Sequence, residues 1–239
     1  MSESNEDKTS GDFREMGLRL AQEVIAFLKK KMDKATRHGV LADIKLSFVG
    51  HSIGNVIIRT ALAGKHNIGK HYGAIPEKFK GTRCIHQLTL TDDPDIQNTF
   101  FYKLCKQKTL QHFKNIILLS SPQDGYVPYH SARIDMCQAA SGDHSKKGKI
   151  FLEMLNDCLD QIRPASPDHR AFLRCDVNFD TSSYGKNLNT FIGRAAHIEF
   201  LESEVFARFI LWSFPELFRN RGQRDKGCCR WSVEEKASG

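Results

Sequence analysis

The stretch IKLSFVGHSIG, residues 44–54, joins a short apolar run to a turn in which a serine stands between two glycines. Residues 44–49 are rich in side chains that favour strands, and residues 55–62 have the composition of a helix. A G-x-S-x-G turn between a strand and a helix is the placement that a nucleophile elbow requires. We therefore predict a strand, a tight turn over residues 50–54 and a helix, with Ser52 presented at the edge of a sheet.

This elbow predicts a serine nucleophile. Glycine suits positions 50 and 54 because the turn brings backbones too close for side chains, and the strained serine then points its hydroxyl away from the sheet. The N–H of Ile53, at the start of the helix, can donate to a developing oxyanion. His51 is interpreted as a packing or hydrogen-bonding residue rather than a catalytic one. The alternative interpretation of the whole motif is an ordinary Gly-Ser-Gly turn that leads into a helix.

The sequence also offers an acid and a base for this serine. A serine hydroxyl needs a base, and the base needs an orienting carboxylate. In α/β-hydrolases the order along the chain is serine, acid, histidine. Asp124 follows the predicted strand at residues 115–119, and His197 lies in a predicted loop between the last strand and the last helix. The sequence therefore predicts a triad of Ser52, Asp124 and His197.

Other interpretations of the acid and the base stay open. Asp124 in Pro-Gln-Asp-Gly is also a common turn residue, and the apolar surroundings of His197 suit a core histidine. Asp176 and Asp180 are alternative acids, and His130 is an alternative base. Because His130 follows Asp124 on the same connection, the topology favours His197.

The rest of the pattern predicts an α/β fold. Apolar periodicity indicates helices and strands in alternation, which is typical of a mostly parallel sheet flanked by helices. The predicted helices cover residues 13–32, 55–62, 100–107, 131–140, 150–162 and 203–214, and the predicted strands cover 44–49, 115–119 and 172–179. The glycine-containing stretch 64–81 is predicted as a loop, and residues 194–197 as another. Residues 1–218 form one predicted domain, and residues 219–239 form a charged, disordered tail.

The composition and charge of the chain favour some classes of protein and disfavour others. With 40% hydrophobic and 26% charged residues, the 239-residue chain is typical of a globular domain. No apolar run is long enough to span a membrane, and the polar N-terminus lacks a signal-peptide pattern, so a cytoplasmic protein is predicted. The net charge of +7 is spread among acidic residues, which favours a solvated surface over nucleic-acid or lipid-headgroup binding.

The seven cysteines form no CxxC pair and no metal-ligand spacing, which predicts reduced thiols and no metal site. Cys228 and Cys229 lie beside Lys226 and Arg230, a pattern in which acylation can give peripheral membrane contact. A disordered tail is the favoured interpretation of that segment.

Three stretches carry a resemblance to a known family: KLSFVGHSIGNVIIRTAL, FKNIILLSSPQDGYVPYHSARI and IGRAAHIEFLESEVF. They resemble the eukaryotic putative serine esterase, lipase-like family, in particular the plant-type members of the family-with-sequence-similarity-135 group, over residues 5–218. The resemblance implies an α/β-hydrolase fold and hydrolysis of a small-molecule or lipid ester without a cofactor or metal. It carries the nucleophile onto Ser52, the acid onto Asp124 and the base onto His197.

The chain departs from that family in two places. The family has further sheet before the elbow, including the loop that supplies a second oxyanion amide, and a strand after the elbow helix that residues 64–81 replace. These departures predict an incomplete α/β-hydrolase fold. They also keep a second function open, a non-catalytic fragment or pseudoenzyme that acts as an interaction module in lipid metabolism.

Overall fold

The computed structural model describes residues 2–37, 45–67, 82–163, 171–179 and 189–202, with Glu204, Arg208, Trp212 and Pro215 beyond them. The chain divides into two compact units, Met1–Phe200 and Leu201–Gly239. The helices and strands in chain order are α1 (Phe13–Arg37), α2 (Gly54–Asn67), α3 (Arg83–Leu88), α4 (Phe100–Lys106), β1 (Asn115–Ser120), α5 (Tyr129–Arg133), α6 (Gln138–Ser141), α7 (Lys146–Ile162), β2 (Ala171–Asp176) and α8 (Asn189–Glu202).

The described sheet consists of β1 and β2, which pair in parallel with Asn115 opposite Ala171 and Ser120 opposite Asp176. The strands predicted at 115–119 and 172–179 are thus found, although β2 ends at Asp176. The helices α5, α6 and α7 form the crossover between the two strands, as a parallel pair requires. The described residues are mostly helical, with a small parallel sheet that is compatible with an incomplete α/β fold.

The strand predicted before the elbow is wrong where the structure describes it, since residues 45–50 have no regular secondary structure and Ile44 lies outside the described residues. Leu46 is 43% exposed and Val49 is 88% exposed, so this apolar run is not covered as a central strand would be. A strand is defined by its pairing, and no described strand pairs with this run. The ring of Phe48 meets that of Phe113 edge-on, with centroids 6.1 Å apart, which places the run beside the segment that leads into β1.

The first core cluster lies where α1 packs on α2. Its buried members come from α1, α2, α3 and α4: Phe13, Met16, Ile57, Ala63, Cys84, Phe100 and Leu104. The predicted helix at 13–32 is confirmed and extends to Arg37, and its buried residues, Phe13, Met16 and Gly17, all lie in the first two turns. Ile25, Phe27 and Met32 are all more than half exposed, because no described element packs on that part of α1.

The second core cluster lies between α4, α7 and the start of β1. Its buried members are Leu90, Tyr102, Cys105, Leu110, Ile150, Met154, Cys158 and Ile162. The helices predicted at 100–107 and 150–162 are confirmed as α4 and α7. The helix predicted at 131–140 is instead two short helices, because Ile134 adopts a left-handed conformation with φ 49° between them.

Helix α8 corrects the predicted loop at residues 194–197, which are helical. Arg194, Ala195 and Ala196 are strong helix formers, and Ala196 is buried, so local propensity and packing agree here. Helix α2 continues past residue 62 with a break at Gly64 (φ 71°), so that residues 64–67 are not loop. The remainder of the predicted loop, 68–81, and the tail, 219–239, lie outside the described residues.

Three described positions of the predicted helix at 203–214, namely Glu204, Arg208 and Trp212, are helical, and its other residues lie outside the description. Helix α3 was not predicted. In the part of the chain that the structure describes, no helix combines the length and the apolar character needed to cross a membrane.

Candidate active site

The turn at Ser52 has the backbone of a strained elbow. Ser52 has φ 53°, a left-handed conformation that few non-glycine residues adopt. The turn closes with a 2.8 Å hydrogen bond from the N–H of Gly54 to the carbonyl of His51, and α2 begins at Gly54. Holding a serine in such a conformation costs about 1–3 kcal/mol, which surrounding structure must offset.

The two glycines of the motif have different surroundings. A Cβ at Gly50 would lie 2.3 Å from Oδ1 and 3.0 Å from the amide nitrogen of Asn55, so a side chain does not fit there. A Cβ at Gly54 would have no atom within 4 Å. The steric argument that the motif suggests therefore holds for Gly50 and not for Gly54.

The N–H of Ile53 is available to a ligand. It donates to no acceptor among the described residues, whereas the carbonyl of Ile53 already accepts from Val56 and Ile57 at 3.0 and 3.1 Å. The side chain of Ile53 packs against the first core cluster, which fixes this amide next to Ser52. A backbone N–H without an acceptor among the described residues therefore lies at the start of α2, next to Ser52.

Asp124 and His197 lie in direct contact. His197 Nδ1 is 2.8 Å from Asp124 Oδ2, and the two side chains are only 13% and 8% exposed. The other oxygen of Asp124, Oδ1, accepts from the backbone N–H groups of Tyr126 and Val127 at 2.8 and 3.0 Å. Because the carboxylate is fixed by its own loop, it can hold the imidazole with the proton on Nδ1 and leave Nε2 free to accept one.

Two glycines bring the loop of Asp124 and helix α8 together. The N–H of Gly125 donates to the carbonyl of Gly193 at 3.1 Å. A Cβ at Gly193 would lie 2.8 Å from the Cα of Gly125, which is too close for any side chain. This backbone contact holds the loop of Asp124 against the helix that carries His197, and no local motif in the sequence pointed to it.

The turn at Ser52 contacts His197 through His51. Its Nε2 lies 2.8 Å from the backbone oxygen of His197, and the two imidazole rings are 4.4 Å apart. The ring of Tyr126, which is 62% exposed, also stacks on His197 at 5.2 Å. Among the described residues no hydrogen bond joins Ser52 Oγ to His197. Such bonds often tighten only when substrate is bound.

The alternative acids and base lie elsewhere. Asp176 accepts from Ser120 Oγ at 3.0 Å and pairs with Arg133, so its carboxylate serves the end of the sheet rather than His197. His130 is exposed on α5, where its ring contacts Tyr129 at 5.3 Å. Asp180 lies outside the described residues. Of the candidates that the structure describes, Asp124 and His197 are the acid and histidine that it brings together.

The described residues contain no group of three histidine, cysteine or acidic side chains that could hold a metal ion. The five described cysteines, Cys84, Cys105, Cys137, Cys158 and Cys175, are free thiols.

Comparison with known proteins identifies the family. The family described as "Putative serine esterase (DUF676)" matches residues 1–91 and 71–139. The matched region contains Ser52 and Asp124 and ends before His197. No solved structure matches the chain. Because the match covers more than half of the sequence, the chain belongs to this serine esterase family, whose description supports a general esterase or hydrolase function.

Proposed function

We propose that this protein is a serine-dependent carboxylic ester hydrolase that acts through an acyl-enzyme. Ser52 is the nucleophile, His197 the base and Asp124 the residue that orients the base. The N–H of Ile53 is one oxyanion donor. The substrate class is a lipid or another carboxylic ester, by analogy with the lipase-like family-with-sequence-similarity-135 group, whose sequences the elbow GHSIGN resembles.

The reaction follows from these roles. Ser52 Oγ attacks the ester carbonyl while His197 Nε2 takes the hydroxyl proton, and Asp124 holds the imidazolium that forms. The N–H of Ile53 donates to the negative oxygen of the tetrahedral intermediate. His197 then returns the proton to the departing alcohol, and the same base activates a water that releases the acid from Ser52.

The contact between His197 Nδ1 and Asp124 Oδ2 is the observation that carries this proposal. The two residues are far apart in sequence, both are nearly buried, and the Asp124 loop meets helix α8 where Gly125 and Gly193 allow a close backbone approach. The strained φ of Ser52 supports the same function, because strained serines mark nucleophile elbows.

A fluorophosphonate probe tests the proposal directly, since it labels only serines that a base activates. The purified full chain is expected to be labelled, and Ser52→Ala and His197→Ala are expected to lose the label. Ser131→Ala and His130→Ala change an exposed serine and the alternative base on α5, so both should keep it. Labelling that persists in Ser52→Ala would contradict the assignment of the nucleophile.

A second candidate function is a non-catalytic interaction module built on the same fold. The observation that favours it is the exposed run before the elbow, where Leu46 and Val49 are 43% and 88% exposed and no described strand pairs with residues 45–50. In that case the wild type would be folded by circular dichroism and yet show neither probe labelling nor hydrolysis of short-chain p-nitrophenyl esters. The same experiment therefore separates the two functions.

A further inference from the structure

The ring of Tyr126 lies between the candidate acid–base pair and solvent. It stacks on the imidazole of His197, with ring centroids 5.2 Å apart and planes inclined by 29°, and it is still 62% exposed. By contrast, the side chains of His197 and Asp124 are only 13% and 8% exposed. Tyr126 is therefore an aromatic group that contacts the proposed base and keeps most of its own surface in water.

The backbone on both sides of Tyr126 is held in place. Its N–H donates to Asp124 Oδ1 at 2.8 Å, and the N–H of Val127 donates to the same oxygen at 3.0 Å. On the other side, the N–H of Gly125 donates to the carbonyl of Gly193 at 3.1 Å. Because the loop is already ordered, a molecule that binds to the ring does not have to order the loop first.

Burial gives Tyr126 little of the stability that other aromatic residues gain. The hydrophobic contribution of a side chain grows with the area that folding removes from water, and Phe13 and Phe100 of the first core cluster are fully buried. Tyrosines with an apolar ring face in water are instead frequent where a protein binds another molecule. The exposed ring beside His197 is thus a candidate contact for substrate.

The proposed reaction brings one part of the ester to this ring. With Nδ1 of His197 toward Asp124, Nε2 is the atom that returns a proton to the departing alcohol. Such a transfer needs the alcohol oxygen within about 3 Å of Nε2, so the carbons attached to that oxygen lie beside the imidazole on which Tyr126 stacks. The acyl part lies instead at Ser52 and the N–H of Ile53.

His51 also contacts the imidazole of His197, but it is already engaged. Its ring is half-buried and lies 4.4 Å from that of His197, and its Nε2 lies 2.8 Å from the backbone oxygen of His197. Of these two rings, Tyr126 is the one with an exposed face.

We propose that Tyr126 binds the alcohol part of the ester and favours alcohols that carry an aromatic ring. This inference rests on the proposed function, because it assigns a role at the same site. A flat ring next to the departing oxygen stacks on Tyr126, whereas a short alkyl alcohol leaves the tyrosine in water. Stacked aromatic pairs gain about 2- to 10-fold in binding beyond the area that they bury. Tyr126 is a specificity-determining residue and takes no part in proton transfer.

Three esters test the inference. Benzyl acetate and ethyl acetate share the acyl group and both release a primary alcohol, whereas ethyl phenylacetate carries its ring on the acyl side. Tyr126→Ala keeps the backbone N–H that Asp124 accepts. It should lower kcat/KM for benzyl acetate about tenfold, mainly through a higher KM, because the stacking is the same in the bound ester and in the transition state.

Two variants and two esters serve as controls. Tyr126→Ala should change kcat/KM for both ethyl esters less than about twofold, because neither alcohol part reaches the ring with an aromatic group. Tyr126→Phe keeps the ring and should retain the wild-type preference for benzyl acetate. Tyr129→Ala removes a tyrosine of α5 whose ring contacts His130, and it should leave the ratios among the three esters unchanged.

The ratios separate this inference from the proposed function. An equal loss for all three esters in Tyr126→Ala would mean that the ring has a structural role, and no loss for any of them would mean that it has no role. A loss confined to ethyl phenylacetate would place the ring at the acyl part. Each of these results overturns the inference while hydrolysis stands. A wild type that hydrolyses none of the esters and takes no fluorophosphonate label overturns the proposed function and this inference with it.

Discussion

The run before Ser52 and the strand before Asp124 look alike in sequence and differ in structure. Both are short apolar runs that lead into a turn bearing a candidate catalytic residue. β1 pairs with β2 over its full length, whereas residues 45–50 pair with no described strand. Asp124 therefore extends from a sheet, while Ser52 is held by α2 behind it and by His51, which contacts the backbone of His197.

This difference shows that an apolar pattern supplies the side chains of a strand but not its partner. The backbone of a strand needs hydrogen bonds from a neighbour, and β1 has that neighbour in β2. At the sheet end of the candidate site, both oxygens of Asp124 accept hydrogen bonds or contact His197. The Ser52 end depends on the turn itself and on the contact of His51 with the backbone of His197.

Asp124→Asn should have the largest effect on activity among the substitutions outside Ser52. It removes the acceptor for His197 Nδ1 while keeping the shape of the side chain. The amide can still accept from Tyr126 and Val127 but can no longer accept from Nδ1 of His197, so the imidazole takes the wrong tautomer. We expect kcat for a p-nitrophenyl ester to fall about 10⁴-fold. Asp176→Asn removes a carboxylate at the end of β2 and should leave kcat near the wild-type value. A comparable loss in both variants would contradict the role of Asp124.

Gly193→Ala should disturb the contact between helix α8 and the Asp124 loop by a steric clash. The new Cβ would lie 2.8 Å from the Cα of Gly125, so helix α8 and the Asp124 loop must move apart. A displacement of about 1 Å between catalytic groups reduces the rate about 100-fold. Gly54→Ala is the control, because its Cβ enters open space at the start of α2. If Gly193→Ala retains wild-type kcat, the glycine contact does not set the distance between acid and base.

The chain order serine, acid, histidine placed Asp124 and His197 in one candidate site, and the structure brings these two side chains into contact. The catalytic roles of Ser52, Asp124 and His197 stay predictions. The contact of Gly125 with Gly193 was not predictable, since close backbone approach across 68 positions leaves no periodic signal.

The wrong predictions of secondary structure and burial share one cause: packing against neighbouring elements, which the local sequence pattern does not reveal. Residues 45–50 have strand-like side chains but pair with no described strand, and α1 has an apolar face of which only the first turns are covered. Residues 194–197 were predicted as a loop, yet two alanines and the burial of Ala196 favour a helix there. In each case the neighbouring element decided the structure.

His51→Phe tests the contact between the turn at Ser52 and the backbone of His197. Phenylalanine keeps a ring against His197 but loses the hydrogen bond to its backbone oxygen. We expect kcat to fall about tenfold with KM nearly unchanged, since a looser base affects the transition state more than substrate binding. His86→Phe, on α3, is the control for replacing a histidine outside the site. A rise in KM alone would indicate that His51 contacts substrate instead.

Ser52→Gly should abolish hydrolysis and change stability only slightly, because it removes the proposed nucleophile and the backbone strain together. Glycine adopts φ 53° without the steric penalty that serine has there, a difference of about 1–3 kcal/mol, while its more flexible unfolded state offsets about 0.5–1 kcal/mol. The expected net gain is about 1 kcal/mol in the free energy of unfolding, or about 2–4 °C in Tm for a chain of this size.

Ser131→Gly, in helix α5, should instead lower Tm, because glycine is unfavourable within a helix. An inactive Ser52→Gly that is more stable than Ser52→Ala would show that the elbow stores strain for catalysis, whereas a loss of stability in Ser52→Gly would mean that the serine side chain stabilises an unstrained turn.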